Sequence, residues 1–395
     1  MPKDTLSAKL DPIMPTYNRF PLTITKGKGS HVWNEQGEQY LDYTSGIATC
    51  NLGHVPDVVH EAVEKQLKEL WHCSNLYTIP SQVKLANLLT ENSCGDQVFF
   101  CNSGAEANEA AIKIARKYAQ DVKGSDDYEI VTFKSSFHGR TLATLSATGQ
   151  EKIQKGFAPL TPGFRYLPYN DVEALADLVQ PQTCAVLLEV IQGEGGVIPA
   201  DEAWLKQLAK LCKEQDILLM VDEIQTGMGR TGSLFAYEQY DIEPDVITLA
   251  KGLGSGIPIG AMIAKEHVAQ AFGPGSHGST FGGNPIATTA GVATVKQLAQ
   301  TKVLEEAKQM ADYFLEELKL LAKKYDEIET IKGKGLLLGI QVKGNAIDYV
   351  TKAREQHNLL ILVAGPNVVR ILPPLTTTKD EVDQCVTILD ELFSK

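Results

Sequence analysis

The sequence lacks long apolar runs and a surplus of positive charge. Its longest uninterrupted apolar run, at 359–364, is far shorter than the ~20 residues that a membrane helix needs. The 37 basic residues are outnumbered by 49 acidic ones, which leaves a formal net charge of −12. This balance offers no electrostatic footprint for nucleic acid or for an anionic membrane surface. The composition therefore favours an acidic globular protein without nucleic-acid or membrane partners.

Cysteine is scarce, and histidine shows no metal-binding pattern. The seven cysteines are odd in number and include no CxxC pair, so the spacing predicts reduced thiols rather than a disulfide framework. The first residues, MPKDTLSAKLDP, carry an acid and a proline where a secretory signal would be apolar. We therefore expect a cytoplasmic protein. The eight histidines contain no HExxH motif, so we expect no metal site and no metal hydrolase.

The middle of the chain alternates between strand-like and helix-like segments, which is typical of a largely parallel sheet covered on both faces. The clearest predicted strands lie at 98–100, 129–133, 185–191, 217–221 and 245–250. The segment DEAWLKQLAKLCKEQ repeats apolar residues at helical spacing between two of these strands, and it predicts a crossover helix.

The two ends of the chain show different patterns. The segment WNEQGEQYLDYTSG suggests a hairpin, and KVLEEAKQMADYFLEELKLLAKKYDEI predicts a long helix that precedes strand-like GLLLGIQV and VVRILPP. At 395 residues the chain is long enough for two or three domains. We predict an N-terminal segment at 1–60 that joins the small domain, a large α/β domain at 61–285 and a C-terminal small α+β domain at 286–395.

The residues that directly follow the strands are candidates for ligand binding, because ligands bind at the carboxyl ends of strands in open α/β sheets. After the strand at 98–100, the segment CNSGAEANEAAIK is a polar turn that opens a helix. The backbone amides of Ser103, Gly104 and Ala105 would then form an anion site at a positive helix end. An ordinary N-cap by Asn102 or Ser103 would explain the same turn.

Chemically useful side chains follow three further strands. Asp222 ends one strand, Lys251 directly follows another, and Phe137 and Arg140 follow a third. A lysine in the glycine-rich, apolar segment LAKGLGSGIPIG is poorly placed as a solvated charge, so it could be a low-pKa amine that forms a Schiff base. An anion nest, a flat aromatic ring, a buried acid and an amine nucleophile are together what pyridoxal 5′-phosphate (PLP) requires.

Seven ordered segments carry a resemblance to a known family. They are NSGAEANEAAIK, SFHGRT followed by TLSATGQ, EVIQGEGG, LLMVDEIQTGMGRTG, ITLAKGLGSGIPIGA, HGSTFGGNP and AGPNVVRILPPL. In these segments the chain resembles the class III PLP-dependent aminotransferases, and the similarity covers essentially its whole length. The resemblance implies the type I, aspartate-aminotransferase-like α/β fold, with a mainly parallel central sheet flanked by helices, a smaller α+β domain, and PLP bound in the large domain.

The resemblance also implies a set of cofactor contacts. Lys251 would be the Schiff-base lysine, and Asp222 would hold the pyridinium nitrogen; both would be catalytic. The remaining contacts would be Gln225 near the ring hydroxyl, Phe137 stacked on the ring, Ser103, Gly104 and Ala105 on the phosphate, and Thr280 on the phosphate of a neighbouring subunit. A homodimer with shared active sites follows. Ala105 replaces a threonine common in the family, so its contact would be made by the backbone alone.

Substrate contacts follow from the same resemblance. Arg140 would bind the substrate α-carboxylate, Ser279 would lie near the bound substrate, and Tyr17 would lie near the substrate's carboxyl end. Glu194 resembles a switch glutamate that pairs with Arg370 while an ω-amine reacts, and that moves away when 2-oxoglutarate enters. A purely structural ion pair is the alternative interpretation of these two residues.

The activity that the resemblance implies is transfer of the δ-amino group of N2-acetyl-L-ornithine to 2-oxoglutarate. The products would be N-acetyl-L-glutamate 5-semialdehyde and L-glutamate, in a step of arginine biosynthesis. Free ornithine, 4-aminobutyrate, succinylornithine and succinyldiaminopimelate are alternative donors. Ile47 counts against free ornithine, since family members that use ornithine resemble one another in having tyrosine there.

One motif suggests a different class of enzyme. Gly227, Gly229 and Gly232 spell GxGxxG after a strand, as in NAD-dependent oxidoreductases. In that fingerprint a helix follows the glycines and the next strand ends in an acid that binds the ribose. Here the next strand ends at Lys251, and the intervening SLFAYEQYDIEPD is a poor helix. The context therefore argues against a dinucleotide site.

Overall fold

The computed structural model describes residues 12–394, which form four sheets and the helices that surround them. The strands are β1 (Ile24–Lys28), β2 (His31–Asn34), β3 (Gln39–Asp42), β4 (Gln97–Cys101), β5 (Glu129–Phe133), β6 (Phe164–Leu167), β7 (Thr183–Leu188), β8 (Ile191–Gln192), β9 (Ile198–Pro199), β10 (Leu218–Asp222), β11 (Val246–Leu249), β12 (Gly260–Ala264), β13 (Ile328–Lys334), β14 (Leu337–Val342), β15 (Leu359–Leu360), β16 (Leu362–Ala364) and β17 (Val368–Ile371). The helices are α1 (Ser45–Ala48), α2 (Asp57–Leu67), α3 (Pro80–Glu91), α4 (Gly104–Lys117), α5 (Leu142–Ala147), α6 (Glu151–Gln154), α7 (Glu202–Glu214), α8 (Glu266–Ala269), α9 (Pro285–Ala299), α10 (Val303–Lys324), α11 (Ala346–His357) and α12 (Lys379–Phe393).

The central sheet has seven strands in the order β4-β12-β11-β10-β7-β5-β6. Only β12 runs antiparallel to its neighbours, so the other six strands end at the same edge. Four of the five predicted strands agree with the structure to within one residue at each end. The fifth was predicted to extend to residue 191, but β7 ends at Leu188 and the chain leaves the sheet at Glu189.

Helix α7 is the predicted crossover between β7 and β10. Asp201 caps it by accepting a hydrogen bond from the Trp204 amide at 2.9 Å. The Trp204 ring is fully buried, with ring centroids of Phe133 and Tyr169 at 5.1 and 4.8 Å. Burying one large apolar side chain stabilises a fold by roughly 1.5–3 kcal/mol, so this face of α7 anchors the helix to the sheet.

The ends of the chain meet in the smaller sheets. Strands β2 and β3 form the predicted hairpin, and β3 pairs in parallel with β15 from the C-terminal part of the chain. Strands β13, β14, β17 and β16 form a separate sheet that is antiparallel throughout, against which α10 and α11 pack. The domain boundaries near residues 60 and 285 stay a prediction.

The segment after β10 has a conformation that contradicts a dinucleotide fingerprint. Gly229 and Gly232 adopt φ values of +87° and +100°, and the chain from 223 to 235 forms turns rather than a helix. A dinucleotide site needs a helix directly after the glycines, because the helix amino terminus binds the pyrophosphate.

Within residues 12–394, no helix combines the length and the apolar character that crossing a bilayer requires.

Candidate active site

The carboxyl edge of the central sheet opens onto a cavity of about 440 Å³, a volume typical of small-molecule sites. Eight residues that the sequence predicts to bind cofactor or substrate line this cavity, namely Ser103, Gly104, Ala105, Phe137, Arg140, Asp222, Gln225 and Lys251. They meet because β4, β5, β10 and β11 all end at this edge. The wall also contains residues for which the sequence analysis predicted no cofactor or substrate contact, namely Thr49, Asn102, His138, Gly139, Glu189, Ile224, Ala250, Gly256, Ile257, Pro258 and Ile259.

The start of α4 forms one end of the cavity. Ser103 caps the helix by accepting a hydrogen bond from the Glu106 amide at 3.3 Å, and the Asn102 amide donates to the Glu106 carboxylate at 2.6 Å. The first amides of a helix have no intrahelical acceptor, so those of Gly104 and Ala105 are available to an anion. A Cβ at Gly104 would lie 2.8 Å from Ile224 Cδ1. Glycine is therefore needed for this close approach, and the cradle fits a phosphate.

Asp222 is held in a single orientation by three donors. Its Oδ2 accepts hydrogen bonds from Asn108 Nδ2 and His138 Nδ1, both at 2.8 Å, and its Oδ1 accepts one from the Ile224 amide at 3.0 Å. The carboxyl group is buried at the cavity wall, while His138 Nε2 is buried without a hydrogen-bond partner. A carboxylate fixed in this way suits the protonated ring nitrogen of PLP.

Lys251 lies directly after β11 in a strained backbone conformation. Its φ is +37°, which costs a residue with a side chain about 1–3 kcal/mol and is typical of functional sites. Burial lowers the pKa of Lys251, although the negative charge of Glu194 acts in the opposite direction. A lowered pKa favours the neutral amine, which is the form of lysine that can act as a nucleophile or as a base.

Glu189 is a cavity residue that sequence reasoning missed. It follows the last residue of β7, and its carboxylate accepts a hydrogen bond from the Phe137 amide at 3.0 Å. Burial raises the pKa of Glu189 to about 7. Its position at the carboxyl end of a strand could have identified it, by the same rule that identified Asp222. The loop that carries Phe137 is thus tied to β7.

Arg140 stands at the exposed side of the cavity. Its guanidinium lies 5.5 Å from the centroid of the Phe137 ring, a cation–π distance. The side chain is exposed to solvent, which leaves its donors available to an incoming carboxylate. The binding of a substrate carboxylate by Arg140 stays a prediction.

Glu194 and Arg370 form an ion pair next to the cavity. Arg370 Nη1 donates to Glu194 Oε1 at 2.8 Å, to the Gly193 carbonyl at 2.9 Å and to Gln225 Oε1 at 3.3 Å. The Arg370 side chain is 2% exposed and that of Glu194 is 32% exposed. Burial alone would raise the pKa of Glu194, but the charges of Arg370 and Lys251 outweigh it, so the pKa is lowered. The pair therefore has one fixed partner and one that is open to solvent.

Besides Glu194 and Arg370, three predicted site residues lie outside this cavity wall. Tyr17 is 78% exposed, and Thr280 is also exposed. Ser279 accepts a hydrogen bond from Asn102 Nδ2 at 3.1 Å, so it lies beside the start of α4 without lining the cavity. The predicted roles of these three residues stay predictions, and the described chain alone does not bring Tyr17 and Thr280 to the site.

Comparison with known proteins points to one family. The family described as aminotransferase class-III matches residues 13–393. An acetylornithine aminotransferase of Oceanobacillus iheyensis is 64% identical over 381 residues, which cover 96% of this chain and 95% of the relative. A structure of N-acetylornithine aminotransferase from Stenotrophomonas maltophilia has a TM-score of 0.83 and 37% identity, covering 96% of this chain and 97% of that one. A structure of the ornithine aminotransferase from Toxoplasma gondii, with partial occupancy of PLP at its active site, has a TM-score of 0.91 and 34% identity, covering 95% and 91%.

Proposed function

Since the chain belongs to the class III aminotransferases and is therefore a PLP-dependent enzyme of the predicted fold, we propose that it transfers the δ-amino group of N2-acetyl-L-ornithine to 2-oxoglutarate. The products are N-acetyl-L-glutamate 5-semialdehyde and L-glutamate. One observation carries the chemistry: a single cavity joins Lys251, Asp222 and the start of α4. The choice of donor is supported by the names of relatives that are 50–64% identical to this chain.

The residues present fit PLP. Ser103 and the amides of Gly104 and Ala105 would hold its phosphate, Phe137 would cover its ring, and Asp222 would keep a proton on its ring nitrogen. When bound, PLP supplies an electron sink that stabilises negative charge on the substrate carbon bearing the amine. Asn108 and His138 assist by fixing Asp222, since an anchored carboxylate needs no reorganisation when charge develops.

Lys251 moves the proton in this proposal. Its lowered pKa favours the neutral amine, so Nζ can take the proton from the substrate carbon that carries the amine and return it elsewhere. Arg140 holds the substrate's carboxylate at the open side of the cavity, which fixes the distance of the amine from Lys251. The catalytic step then needs no further base from the chain.

The Glu194–Arg370 pair accounts for the use of two dissimilar substrates. With the pair closed, the cavity presents no free arginine beside Gln225, which suits an amine-bearing carbon without a carboxylate. When 2-oxoglutarate enters, the solvent-accessible Glu194 moves away and Arg370 binds the carboxylate next to the keto group. Arg370 itself stays in place because the Gly193 carbonyl continues to hold it.

The test uses purified holoenzyme and follows both the visible absorbance of the bound cofactor and the glutamate formed. Lys251→Ala should keep bound cofactor and lose turnover, whereas Lys265→Ala, at the far end of β12, should keep both. Among N-acetylornithine, ornithine, 4-aminobutyrate and N-succinylornithine, N-acetylornithine should react fastest. Normal turnover by Lys251→Ala would overturn the mechanism, and faster reaction of another amine would overturn the choice of donor.

We also propose that the enzyme is a homodimer with shared active sites. Trp71, Leu76 and Phe281 are 65%, 87% and 60% exposed, and Asn75 Nδ2 joins their segments by donating to the Ser279 and Gly282 carbonyls. Large exposed apolar side chains on neighbouring segments are typical of an interaction surface. It flanks Thr280, which would reach the phosphate in the partner's cavity.

The predicted cytoplasmic location stays a prediction.

Mixing two inactive variants tests the shared sites. Lys251→Ala and Thr280→Ala should each have low activity, but hybrid dimers contain one site with both residues intact. Random reassociation should restore activity to about one quarter of the wild-type value, because half of the dimers are hybrid and each has one intact site. No restoration, in a mixture shown by mass spectrometry to contain hybrid dimers, would rule out sharing.

A further inference from the structure

The loop at 276–283, between α8 and α9, carries Thr280 and is attached to α4. Lys113, on α4, donates from Nζ to the Ser276 carbonyl at 3.2 Å and to His277 Nδ1 at 2.9 Å. An ammonium group has donors only, so Nδ1 is the acceptor and the proton of the neutral ring lies on Nε2. One charged side chain of α4 therefore fixes two consecutive residues of the loop.

The His277 ring packs against two aromatic side chains. Its centroid lies 4.7 Å from that of Phe99 on β4 and 5.6 Å from that of Phe272. Burial and then the positive charge of Lys113 lower the pKa of His277. The neutral ring, which is the only form whose Nδ1 can accept a hydrogen bond, is thus favoured at pH 7. The aromatic contacts and the hydrogen bond from Lys113 hold the loop in one place.

Ser279 connects the same loop to the start of α4. Its Oγ accepts a hydrogen bond from Asn102 Nδ2 at 3.1 Å and another from the Gly282 amide at 3.0 Å. A Cβ at Gly282 would lie 2.8 Å from Cys101 Cα, so this part of the loop packs directly on the end of β4. Thr280 is exposed between these two fixed residues of the loop.

Helix α4 therefore contacts two different parts of the molecule. Gly104 and Ala105, at its start, belong to the wall of the cavity in the same subunit. Lys113 lies nine residues after Gly104, which is roughly 13 Å along the helix at 1.5 Å per residue, and it is absent from that wall. A change at Lys113 should thus act through the loop rather than through the cavity of its own subunit.

We propose that Lys113 is a positioning residue that acts across the subunit interface: through Ser276 and His277 it holds the loop so that the Thr280 hydroxyl reaches the cofactor phosphate in the partner's cavity. The inference rests on the proposed function, in which two subunits share their active sites. A donor that is already ordered loses less conformational entropy when it binds. A loop released from α4 would therefore bind the phosphate more weakly, and the loss would appear in the partner's cavity.

The first test measures the release of PLP from purified holoenzyme, as the decay of the cofactor absorbance after dilution into buffer without PLP. Lys113→Met keeps a helix-forming side chain but removes the charge, and it should speed release about threefold or more, the effect of weakening one hydrogen bond. The matched control is Lys117→Met, which removes a lysine of the same helix that pairs with Asp121 and should leave release unchanged. Unchanged release from Lys113→Met would overturn the proposal.

A second variant tests whether Lys113 acts through the loop. His277→Phe keeps an aromatic ring against Phe99 but cannot accept a hydrogen bond from Lys113, so it should also speed release. The double variant should release PLP no faster than Lys113→Met alone, because that change already removes the contact. Additive effects of the two changes would contradict positioning through His277.

Hybrid dimers show in which subunit Lys113 acts. Each hybrid pairs one chain that has Lys251 with one that carries Lys251→Ala, so only one cavity turns over. Lys113→Met in the Lys251→Ala chain should raise the PLP concentration for half-maximal activity about threefold. The same change in the chain that keeps Lys251 should leave this concentration unchanged. Equal effects in the two hybrids, or the reverse result, would overturn action across the interface.

Thr280→Ala separates this inference from the proposed function. If Thr280→Ala leaves PLP release unchanged, the shared phosphate contact is wrong, and positioning by Lys113 is overturned with it. If Thr280→Ala speeds release but Lys113→Met does not, the shared site stands and only the role of Lys113 is overturned.

Discussion

Replacing Glu194 with glutamine should strengthen the binding of 2-oxoglutarate. In the wild type, an incoming carboxylate must displace Glu194 from Arg370, where the two side chains form a charge-assisted hydrogen bond of 2.8 Å. Such a bond contributes about 1.5–3 kcal/mol, against about 0.5–1.5 kcal/mol for a neutral partner. Taking the middle of each range, the difference is about 1.3 kcal/mol.

This difference corresponds to about a tenfold change in affinity. We therefore expect Glu194→Gln to lower the KM for 2-oxoglutarate and the Kd for glutarate, a non-reacting dicarboxylate, by about tenfold. The kcat/KM for N-acetylornithine should fall at the same time, because Arg370, paired only with a neutral side chain, would attract the carboxylate of the donor to the wrong end of the cavity. The assays are steady-state kinetics and titration of the cofactor absorbance with glutarate.

The matched control is Glu129→Gln. Glu129 forms an ion pair of the same length, 2.8 Å, with Arg165, but at the amino-terminal edge of the sheet, away from the cavity. It should lower the free energy of unfolding without changing either binding constant. The reasoning is wrong if Glu194→Gln leaves glutarate binding unchanged or weakens it while the protein remains folded.

Two further predictions concern the helix start and a buried acid. Gly104→Ala should weaken PLP binding by about tenfold or more, because the new Cβ would force α4 away from Ile224. Titration of the apoenzyme with PLP measures this change. The control is Gly273→Ala, which adds a Cβ to open space and should leave PLP binding unchanged. Burial raises the pKa of Glu223 to about 7, so its favourable protonated form is lost as the pH rises through 7. Urea unfolding at pH 5 and pH 8 measures the free energy of unfolding of the wild type and of Glu223→Gln. The variant should be more stable relative to the wild type at pH 8 than at pH 5. The same difference between the two proteins at both pH values would contradict the raised pKa of Glu223.

Much of the central sheet could be predicted because its strands are short, apolar and separated by amphipathic helices. The residues at the strand ends followed from the same pattern, since parallel strands bring their carboxyl ends to one edge. Lys251 and Asp222 were found in this way, and the structure places both in one cavity. Glu189 was missed because the apolar residues Val190 and Ile191 follow it in the sequence, so the predicted strand extended past the residue at which the chain leaves the sheet.

Contacts between residues distant in the chain could not be predicted. Asn108 lies on a helix and His138 in a loop, and both donate to Asp222, which follows them by 114 and 84 positions. The hydrogen bond between His54 Nε2 and Asp42 Oδ2, at 2.7 Å, depends on how a hairpin strand packs against the next turn. Nothing in the spacing of Asn108, His138, His54 and Asp42 distinguishes these four residues from ordinary surface and core positions.

The sequence by itself determined most local choices: which segments form the strands of the central sheet and its crossover helix, where four of the five predicted strands end, and which chemical groups stand there. These choices depend on periodicity and on the residues that start and stop an element, so the bounds of an element can be predicted to within a few residues. Only the tertiary structure decided which side chains share a cavity, which charges are buried and which pKa values shift. Those properties depend on distances in space and on exclusion of water, and neither is set by neighbours in the chain.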